Sequence, residues 1–181
     1  SVIKATMVEK KVKNRKSIRS FSDRKVEPEL LEKILSVASY APTNCNQQLW
    51  NFIVVDRQDI KEKLVREAAS NTLLRKAPVV VVATYDGWNY KEALQGASLA
   101  VGHMLLAASY YGLGSLPMNS YGSDAKVRKI LGIPKSETIC CFVAFGYPDE
   151  RAEEASLVPR RPIEESVHFN SFKKNKRDSF S

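Results

Sequence analysis

An uninterrupted run of β-branched residues restricts the fold of this 181-residue chain more than any other stretch. Valine occupies every position from 79 to 82, between Pro78 and the pair Ala83 and Thr84. A strand with one face in water alternates apolar and polar side chains, whereas a strand covered on both faces is apolar throughout. The run therefore predicts a strand that is buried on both faces.

Hydrophobic periodicity predicts the remaining elements. Four segments show the 3.6-residue period of a helix: 28–41, 57–75, 90–111 and 125–131. Apolar runs predict strands over 51–55 and 138–145 and an extended stretch over 115–118. Asp56 is placed to cap the second helix. Because no βα unit repeats along the chain, we expect an α+β fold, with a small central sheet and helices on both faces.

The segment 90–111 is apolar around nearly its whole circumference, which predicts a central helix or one at a subunit interface. Gly102, His103 and Ser109 interrupt its apolar run, which is shorter than the roughly 20 residues that a bilayer span needs. We therefore expect no membrane partner.

Residues 15–21, which read Arg-Lys-Ser-Ile-Arg-Ser-Phe, point to an anion. Guanidinium groups, an ammonium group and hydroxyls are the donors that a phosphate group prefers. The glycine-rich loops of dinucleotide-binding folds and of P-loop NTPases are both absent from the sequence. The stretch therefore predicts a site for the phosphate of a nucleotide-like cofactor, formed without a glycine-rich loop.

The net charge of +8 is concentrated at the two ends of the chain. Residues 1–25 contain nine Lys or Arg against two acids, and residues 160–181 contain six against three. We expect the two ends to converge on one anion. A basic nucleic-acid-binding module is the alternative, but aromatic residues are not interleaved with the basic runs as a base-stacking surface requires. We therefore expect no nucleic-acid partner.

Residues 41–50 place four amide side chains between a predicted helix and a predicted strand. Amides both donate and accept hydrogen bonds, which suits the edge of a heterocycle that carries N–H and C=O groups. A capped loop without a ligand is an equally good interpretation of this stretch alone.

The three cysteines, Cys45, Cys140 and Cys141, contain no C-x-x-C pair, and the chain has only the histidines His103 and His168. A zinc or other metal site is therefore not expected. Free thiols and the absence of an apolar leader segment indicate a cytoplasmic protein.

Three motifs in order resemble those of the nitroreductase family of FMN-dependent oxidoreductases, and in particular its short members. The first is 15–21, and the second is 41–50, which reads Ala-Pro-Thr-Asn-Cys-Asn-Gln-Gln-Leu-Trp. The third joins Gly-Tyr-Pro at 146–148 to Arg-Arg-Pro-Ile-Glu-Glu at 160–165. The resemblance covers the chain from Arg15 to about Phe169.

The resemblance implies a nitroreductase-like α+β fold, with a central mixed or antiparallel sheet flanked by helices. It also implies an intertwined homodimer, in which the helix over 90–111 forms part of the core. The chain would then be one FMN-binding domain over 1–181, with a C-terminal extended arm over about 150–181.

The resemblance also implies a set of FMN-binding residues. The phosphate and the ribityl chain would be bound by Arg15, Lys16, Ser17, Arg19 and Arg160, with Arg161 as a less favoured substitute for Arg160. Asn46 would contact the pyrimidine or N5 edge of the flavin. The ring would be covered from the opposite subunit by Pro42, Thr43 and Asn44. Behind the ring would lie Pro117, Met118, Asn119 and Ser120.

Four residues depart from the family pattern. Leu49 replaces a proline, Thr43 a serine, Asn119 a glutamate and Ser120 a glycine. We expect the last two to change the loop that the resemblance places beside the flavin.

The implied reaction transfers a hydride from NADH or NADPH to flavin N5. Two electrons then pass to a nitroaromatic, a quinone or a similar small-molecule oxidant, by a ping-pong mechanism. No side chain would act as a catalytic acid or base, because the flavin supplies the chemistry. Alternatives on the same fold are ene reduction, reductive dehalogenation and flavin reduction.

Overall fold

The computed structural model describes residues 6–68, 71–119, 122–153 and 157–172. Its helices are α1 (Met7–Asn14), α2 (Pro28–Ala38), α3 (Gln58–Glu67), α4 (Leu73–Lys76), α5 (Tyr90–Tyr110), α6 (Asp124–Leu131) and α7 (Glu150–Glu153). Its strands are β1 (Trp50–Val55), β2 (Val79–Tyr85), β3 (Gly114–Met118) and β4 (Thr138–Gly146). Short 3₁₀ turns cover Asn44–Asn46 and Ile163–Glu165.

The four strands form one antiparallel sheet in the order β1-β2-β4-β3. All seven residues of β2 are buried, so the prediction of a strand covered on both faces is confirmed. Val79, Val81 and Ala83 pack with α2 and α5 on one face. Val80 and Val82 pack with α3, α4 and α6 on the other. The helices on both faces confirm the predicted α+β architecture.

A β-bulge interrupts the pairing of the two central strands. Ala83 pairs with Cys141 but Thr84 pairs with Ile139, which leaves Cys140 as the extra residue of β4. An extra residue reverses the side-chain alternation beyond it. As a result Ile139 and Cys141 pack on opposite faces of the sheet although they are two residues apart.

The single helix predicted over 57–75 is wrong, because the structure forms two helices there. Ala68 leaves the helical conformation with φ −125° and ψ −41°, and α3 ends before it. The Asn71 side chain then accepts a hydrogen bond of 3.0 Å from the backbone N–H of Leu73, at the start of α4. Such side-chain bonds to the backbone compete with a continuous helix. The predicted cap is wrong as well. Arg57, not Asp56, occupies the N-cap position of α3, and its side chain makes no capping hydrogen bond.

Helix α5 lies against the sheet along one side and exposes apolar residues along another. Ala97, Ala100 and Met104 are fully buried, whereas Leu99 and Leu106 are partly exposed. Leu99 and Leu106 are seven residues apart, which places them on the same face about two turns apart. Among the described helices, none combines the length and the apolarity needed to cross a membrane.

Candidate functional site

The cationic segment over 15–21 is attached to the end of the sheet. The N–H of Ile18 donates to the carbonyl of Ser115 in β3 (2.9 Å), and the N–H of Ser22 donates to that of Tyr147 (2.8 Å). The hydroxyl of Ser20 donates to the carboxylate of Asp149, and this bond lowers the pKa of Asp149. The segment therefore has a fixed position although it lies in neither a helix nor a regular strand.

Two glycines allow this close attachment. A Cβ atom on Gly114 would lie 2.9 Å from Cγ2 of Ile18, and one on Gly146 would lie 2.7 Å from Cδ1 of Phe21. Ile18 is 6% exposed, so its side chain anchors the segment in the core.

The anchored segment forms one wall of a cavity of about 710 Å³. Five cationic side chains line it, and none of its described lining residues is acidic: Lys13, Arg15, Lys16, Arg19 and Arg160. Ser17 adds a hydroxyl, and four apolar residues complete the lining: Val12, Leu106, Leu157 and Val158. Cations from both ends of the chain therefore converge on one cavity.

One nitrogen of an arginine that lines this cavity lacks an acceptor. Nη1 of Arg15 is shielded from solvent and has no hydrogen-bond partner within the described parts of the chain. A buried guanidinium N–H without an acceptor is unfavourable, whereas phosphate oxygens are strong acceptors for it. The chemistry of this donor set fits a phosphate group.

The two arginines of the C-terminal motif have different surroundings. Arg160 lines the cationic cavity. Arg161 is not among the lining residues, and its Nη2 donates to the hydroxyl of Ser166 (2.6 Å).

The amide-rich loop adopts an uncommon backbone conformation. Cys45, Asn46 and Gln48 have positive φ angles of 50°, 54° and 54°. The hydroxyl of Thr43 accepts a hydrogen bond of 3.0 Å from the N–H of Gln48 and closes the loop. Left-handed residues other than glycine are unfavourable and occur often at functional sites. The sequence pattern did not predict this conformation.

Asn46, the residue expected to contact the edge of the flavin, is exposed on this loop.

Pro42, Thr43 and Asn44 line a second cavity of about 520 Å³ at the N-terminal half of α5. Leu99 lines this cavity and Leu106 lines the cationic one, so the two open along the same side of α5. Within one chain, the cationic residues and the Pro42–Asn44 segment are therefore not brought into one cavity.

The remaining predicted residues follow β3. Pro117 is half-buried and pairs with Val143, and Met118 is buried with its sulfur accepting a bond of 3.2 Å from Nδ2 of Asn71. Asn119 is exposed at the end of the strand, and Ser120 lies outside the described residues.

Two further residues of the second cavity were missed by the sequence analysis. Glu92 in the first turn of α5 and Tyr85 at the end of β2 both line it, and both are buried. A glutamate in a first helical turn is typical of an exposed residue that interacts with the helix dipole, so no sequence signal indicated its burial.

The cysteines next to the bulge are not reactive thiols. Burial raises the pKa of Cys140 to about 12 and that of Cys141 to about 11. Both groups are therefore uncharged at neutral pH, and a thiol without thiolate character is a poor nucleophile. Within the described residues, no group of three or more potential metal ligands comes together.

The family model for the nitroreductase family matches residues 12–73 and 63–147 of the chain. The chain belongs to the nitroreductase family. Among its relatives, a protein of Thermus thermophilus named NADH dehydrogenase is 32% identical, over 84% of this chain and 91% of that protein. An iodotyrosine deiodinase of Thermotoga neapolitana is 27% identical, over 88% of this chain and 96% of that protein.

Solved nitroreductases have the same fold. An FMN-dependent nitroreductase from Clostridium difficile superposes with a TM-score of 0.77 and 30% sequence identity, over 90% of this chain and 98% of that one. The family resemblance and the predicted nitroreductase-like fold are thus confirmed. As a nitroreductase-family member, the chain is an oxidoreductase.

Proposed function

We propose that this nitroreductase-family protein is an FMN-dependent NAD(P)H oxidoreductase whose flavin phosphate binds in the cationic cavity. The single observation that carries the proposal is the buried Nη1 of Arg15, which has no acceptor within the described residues. Arg15 lines a cavity whose charged lining residues, among those described, are all cationic. A phosphate monoester carries between one and two negative charges at neutral pH and supplies the missing acceptors.

The side chains that line the cationic cavity have different roles in binding the phosphate. Arg15, Arg19 and Arg160 supply guanidinium donors for phosphate oxygens, and Ser17 supplies a hydroxyl. Lys16 adds a positive charge that also attracts the phosphates of a nicotinamide dinucleotide. The bond from Ile18 to Ser115 fixes the segment before any ligand arrives, which lowers the entropy lost on binding.

Other residues bind the flavin ring in this proposal. Asn46 contacts the pyrimidine or N5 edge, and Pro117, Met118, Asn119 and Ser120 lie behind the ring. Pro42, Thr43 and Asn44 cover it from the opposite subunit of a homodimer. Within one chain, the Pro42–Asn44 segment and the cationic residues line different cavities. This separation supports a contribution of the segment from a second chain.

When bound, FMN supplies the redox chemistry, accepting a hydride at N5 from NADH or NADPH and passing two electrons to a nitroaromatic, a quinone or a similar acceptor in a ping-pong cycle. The protein contributes binding, orientation and positive charge, and no side chain is proposed to transfer a proton. Cys140 and Cys141 take no part, because their raised pKa values keep both thiols protonated.

The test begins with the visible absorption spectrum of the purified protein, before and after incubation with FMN and removal of free flavin. We expect the bands of bound oxidised flavin, followed by oxidation of NADH or NADPH when a quinone is added. A colourless protein that does not retain FMN would contradict the proposal. So would a flavin-loaded protein that oxidises neither nicotinamide donor.

Reductive dehalogenation is the second candidate, and the likeness to the Thermotoga iodotyrosine deiodinase favours it. It requires the same flavin site and differs in the acceptor. Assays of the flavin-loaded protein with iodotyrosine and with a quinone, each under reducing conditions, separate the two. Iodide release faster than quinone reduction would favour the second candidate.

A further inference from the structure

Two polar residues hold the cationic segment in place although neither lines the cationic cavity. Ser20 follows Arg19 within the segment, and Asp149 follows the Gly-Tyr-Pro motif at 146–148. Neither is among the described residues that line the cavity, and neither belongs to the residues proposed to bind FMN. An effect of this pair on the flavin must therefore pass through other side chains.

Ser20 and Asp149 are joined by two hydrogen bonds of opposite direction. The hydroxyl of Ser20 donates to Oδ2 of Asp149, and the backbone N–H of Asp149 donates to the carbonyl of Ser20 (3.4 Å). The adjoining residues Phe21 and Pro148 form an isolated antiparallel β-bridge. The pair is therefore part of a short backbone pairing between the cationic segment and the chain that follows β4.

The other oxygen of the Asp149 carboxylate holds a different element. Oδ1 accepts a bond of 3.1 Å from the N–H of Ala152 in α7. Asp149 directly precedes this helix, so its carboxylate satisfies one of the N–H groups that a helix leaves free at its start. Ala152 is buried, which attaches α7 to the core. One carboxylate thus joins the cationic segment, through Oδ2, to α7, through Oδ1.

The two joined elements bring cations to the cationic cavity from opposite parts of the chain. Arg19 directly precedes Ser20, and Arg160 lies in the part of the chain that follows α7. Both arginines line the cavity. Hydrogen bonds weaken steeply when their distances and angles depart from the optimum. The relative position of Arg19 and Arg160 therefore decides how many phosphate oxygens the two can bind at once.

Asp149 makes this connection without pairing with a cation. None of the ion pairs in the described parts of the chain includes its carboxylate. The hydroxyl of Ser20 is neutral, and its bond holds the pKa of Asp149 below the ordinary 3.8, so the carboxylate is ionised at neutral pH. A guanidinium paired with this carboxylate would be less available to a phosphate. The segment is thus held in place without occupying its arginines.

We propose that Asp149, acting through Ser20, is a positioning residue for the flavin phosphate and sets the preference of the protein for FMN over riboflavin. Riboflavin has the same ring and ribityl chain but lacks the phosphate, so only FMN binding depends on the alignment of the cations. The bond from Ile18 to Ser115 attaches the segment to the sheet, and the bond from Ser20 attaches it to the side that leads to Arg160. This inference rests on the proposed function.

The test compares the dissociation constants of FMN and riboflavin, measured by the change in flavin fluorescence, in the wild type and in Ser20→Ala. We expect the variant to bind FMN roughly fivefold more weakly and riboflavin less than about twofold more weakly, because one hydrogen bond that aligns the phosphate-binding groups is lost. Ser20→Thr keeps a hydroxyl and should retain most of the FMN affinity.

Ser22→Ala is the matched control, two residues further along the chain. The hydroxyl of Ser22 accepts a bond of 3.4 Å from the N–H of Arg24, and Ser22 is not bonded to Asp149 through its side chain. The ratio of FMN to riboflavin affinity should therefore be that of the wild type.

A double variant shows whether Ser20 acts through Asp149. Asp149→Ala also removes the bond to α7, and we expect it to reduce the preference for FMN at least as much as Ser20→Ala does. Adding Ser20→Ala to Asp149→Ala should change the ratio no further, because the two residues act as one unit. Urea unfolding of the same variants reports stability separately. A merely structural role would lower the free energy of unfolding and leave the ratio of FMN to riboflavin affinity unchanged.

The possible outcomes separate this inference from the proposed function. A wild type that binds neither flavin, or that binds both equally, would contradict the phosphate site itself and the inference with it. A wild type that prefers FMN, with the same ratio in Ser20→Ala or an equal loss in Ser22→Ala, would overturn the role of Asp149 and leave the phosphate site standing. Additive losses in the double variant would overturn the claim that Ser20 acts through Asp149.

Discussion

Arg160 and Arg161 are neighbours in the sequence, but only the first lines the cationic cavity. The second donates to Ser166 instead. Spacing within the motif favours Arg160 without excluding Arg161, since both guanidinium groups lie within two residues of Pro162. The difference between them depends on side-chain direction, which the sequence alone does not specify.

Replacing each arginine with glutamine gives a matched pair. Arg160→Gln is expected to weaken FMN binding by about tenfold or more, because a hydrogen bond to a charged group contributes about 1.5–3 kcal/mol. Arg161→Gln is expected to leave it nearly unchanged. Titration of apoprotein with FMN, followed by the change in flavin fluorescence, measures both. Equal losses in the two variants would contradict the assignment.

Lys61 is a buried cation with a structural role. It is 3% exposed, and its Nζ donates to the carbonyls of Ala77 (2.7 Å) and Pro78 (3.1 Å) at the start of β2. Desolvation lowers its pKa from the ordinary 10.5. Since the unfolded chain then binds a proton more tightly than the folded one, this group's contribution to stability increases as pH rises towards 10.5.

Lys61→Met removes the two hydrogen bonds and also the ammonium group that titrates. We expect it to lower the free energy of unfolding by about 1–3 kcal/mol at pH 7, because two carbonyls lose their donor. The difference from the wild type should grow between pH 8 and pH 10. Urea unfolding at both pH values measures it, with the exposed Lys63→Met as control. A difference that shrinks with pH would show the opposite sign of the pKa shift.

At the scale of single elements, the packing of α5 requires a glycine at position 96 but not at position 102. Gly96 is in contact with the ring of Tyr85, whereas no atom lies within 4 Å of the Cβ position on Gly102. Both glycines are in the helical conformation, so the helix itself would be stabilised by alanine at either position.

Alanine substitutions at Gly96 and Gly102 are therefore expected to change the free energy of unfolding in opposite directions. Gly96→Ala should destabilise the fold by about 1–3 kcal/mol, since the added methyl group overlaps a fully buried ring. Gly102→Ala should stabilise it by about 0.5–1 kcal/mol. Thermal or urea unfolding of the two variants checks both values. If Gly96→Ala is neutral, the ring of Tyr85 does not lie against α5 as described.

The elements themselves were predictable where the pattern is long and continuous. The bounds of β2 and α5 differ by at most one residue from the predicted ranges 78–84 and 90–111. Both elements were predictable because each contains a long, nearly continuous apolar stretch. The break between α3 and α4 was not predictable, since it depends on one backbone conformation at Ala68 and one side-chain bond from Asn71. The left-handed residues of the amide-rich loop accompany a local bond from Gln48 to Thr43, whereas the burial of Glu92 arises from tertiary packing. Hydrophobic periodicity contains no signal for either feature.

At the scale of the whole molecule, an apolar surface formed by α1 and one side of α5 has no covering element among the described residues. Met7, Val8 and Tyr110 are 73%, 71% and 60% exposed there. Exposed apolar surface of this extent marks an interaction site. The single-domain assignment over 1–181 and the C-terminal arm remain predictions, and so does the homodimer.

A charge placed on this surface tests the homodimer. Tyr110→Lys is expected to shift a dimer towards monomer at micromolar concentration, because a charge would be buried in an apolar interface. Val54→Lys introduces the same side chain on β1, where Val54 is 41% exposed, and should leave the association state unchanged. Analytical ultracentrifugation of the three proteins gives the answer. A wild type that sediments as a monomer would exclude the dimer directly.

The attachment of the cationic segment also sets an order of events during synthesis. Ser20 lies near the beginning of the chain, but its partner Asp149 follows 129 residues later, beyond β4. A ribosome releases the N-terminal cations first, and contacts of such long sequence separation form late in folding. The cavity therefore cannot close until the chain has emerged as far as Arg160. A ligand bound there would protect chains that extend past Arg160 from degradation and would not protect shorter ones, because shorter chains lack part of the site.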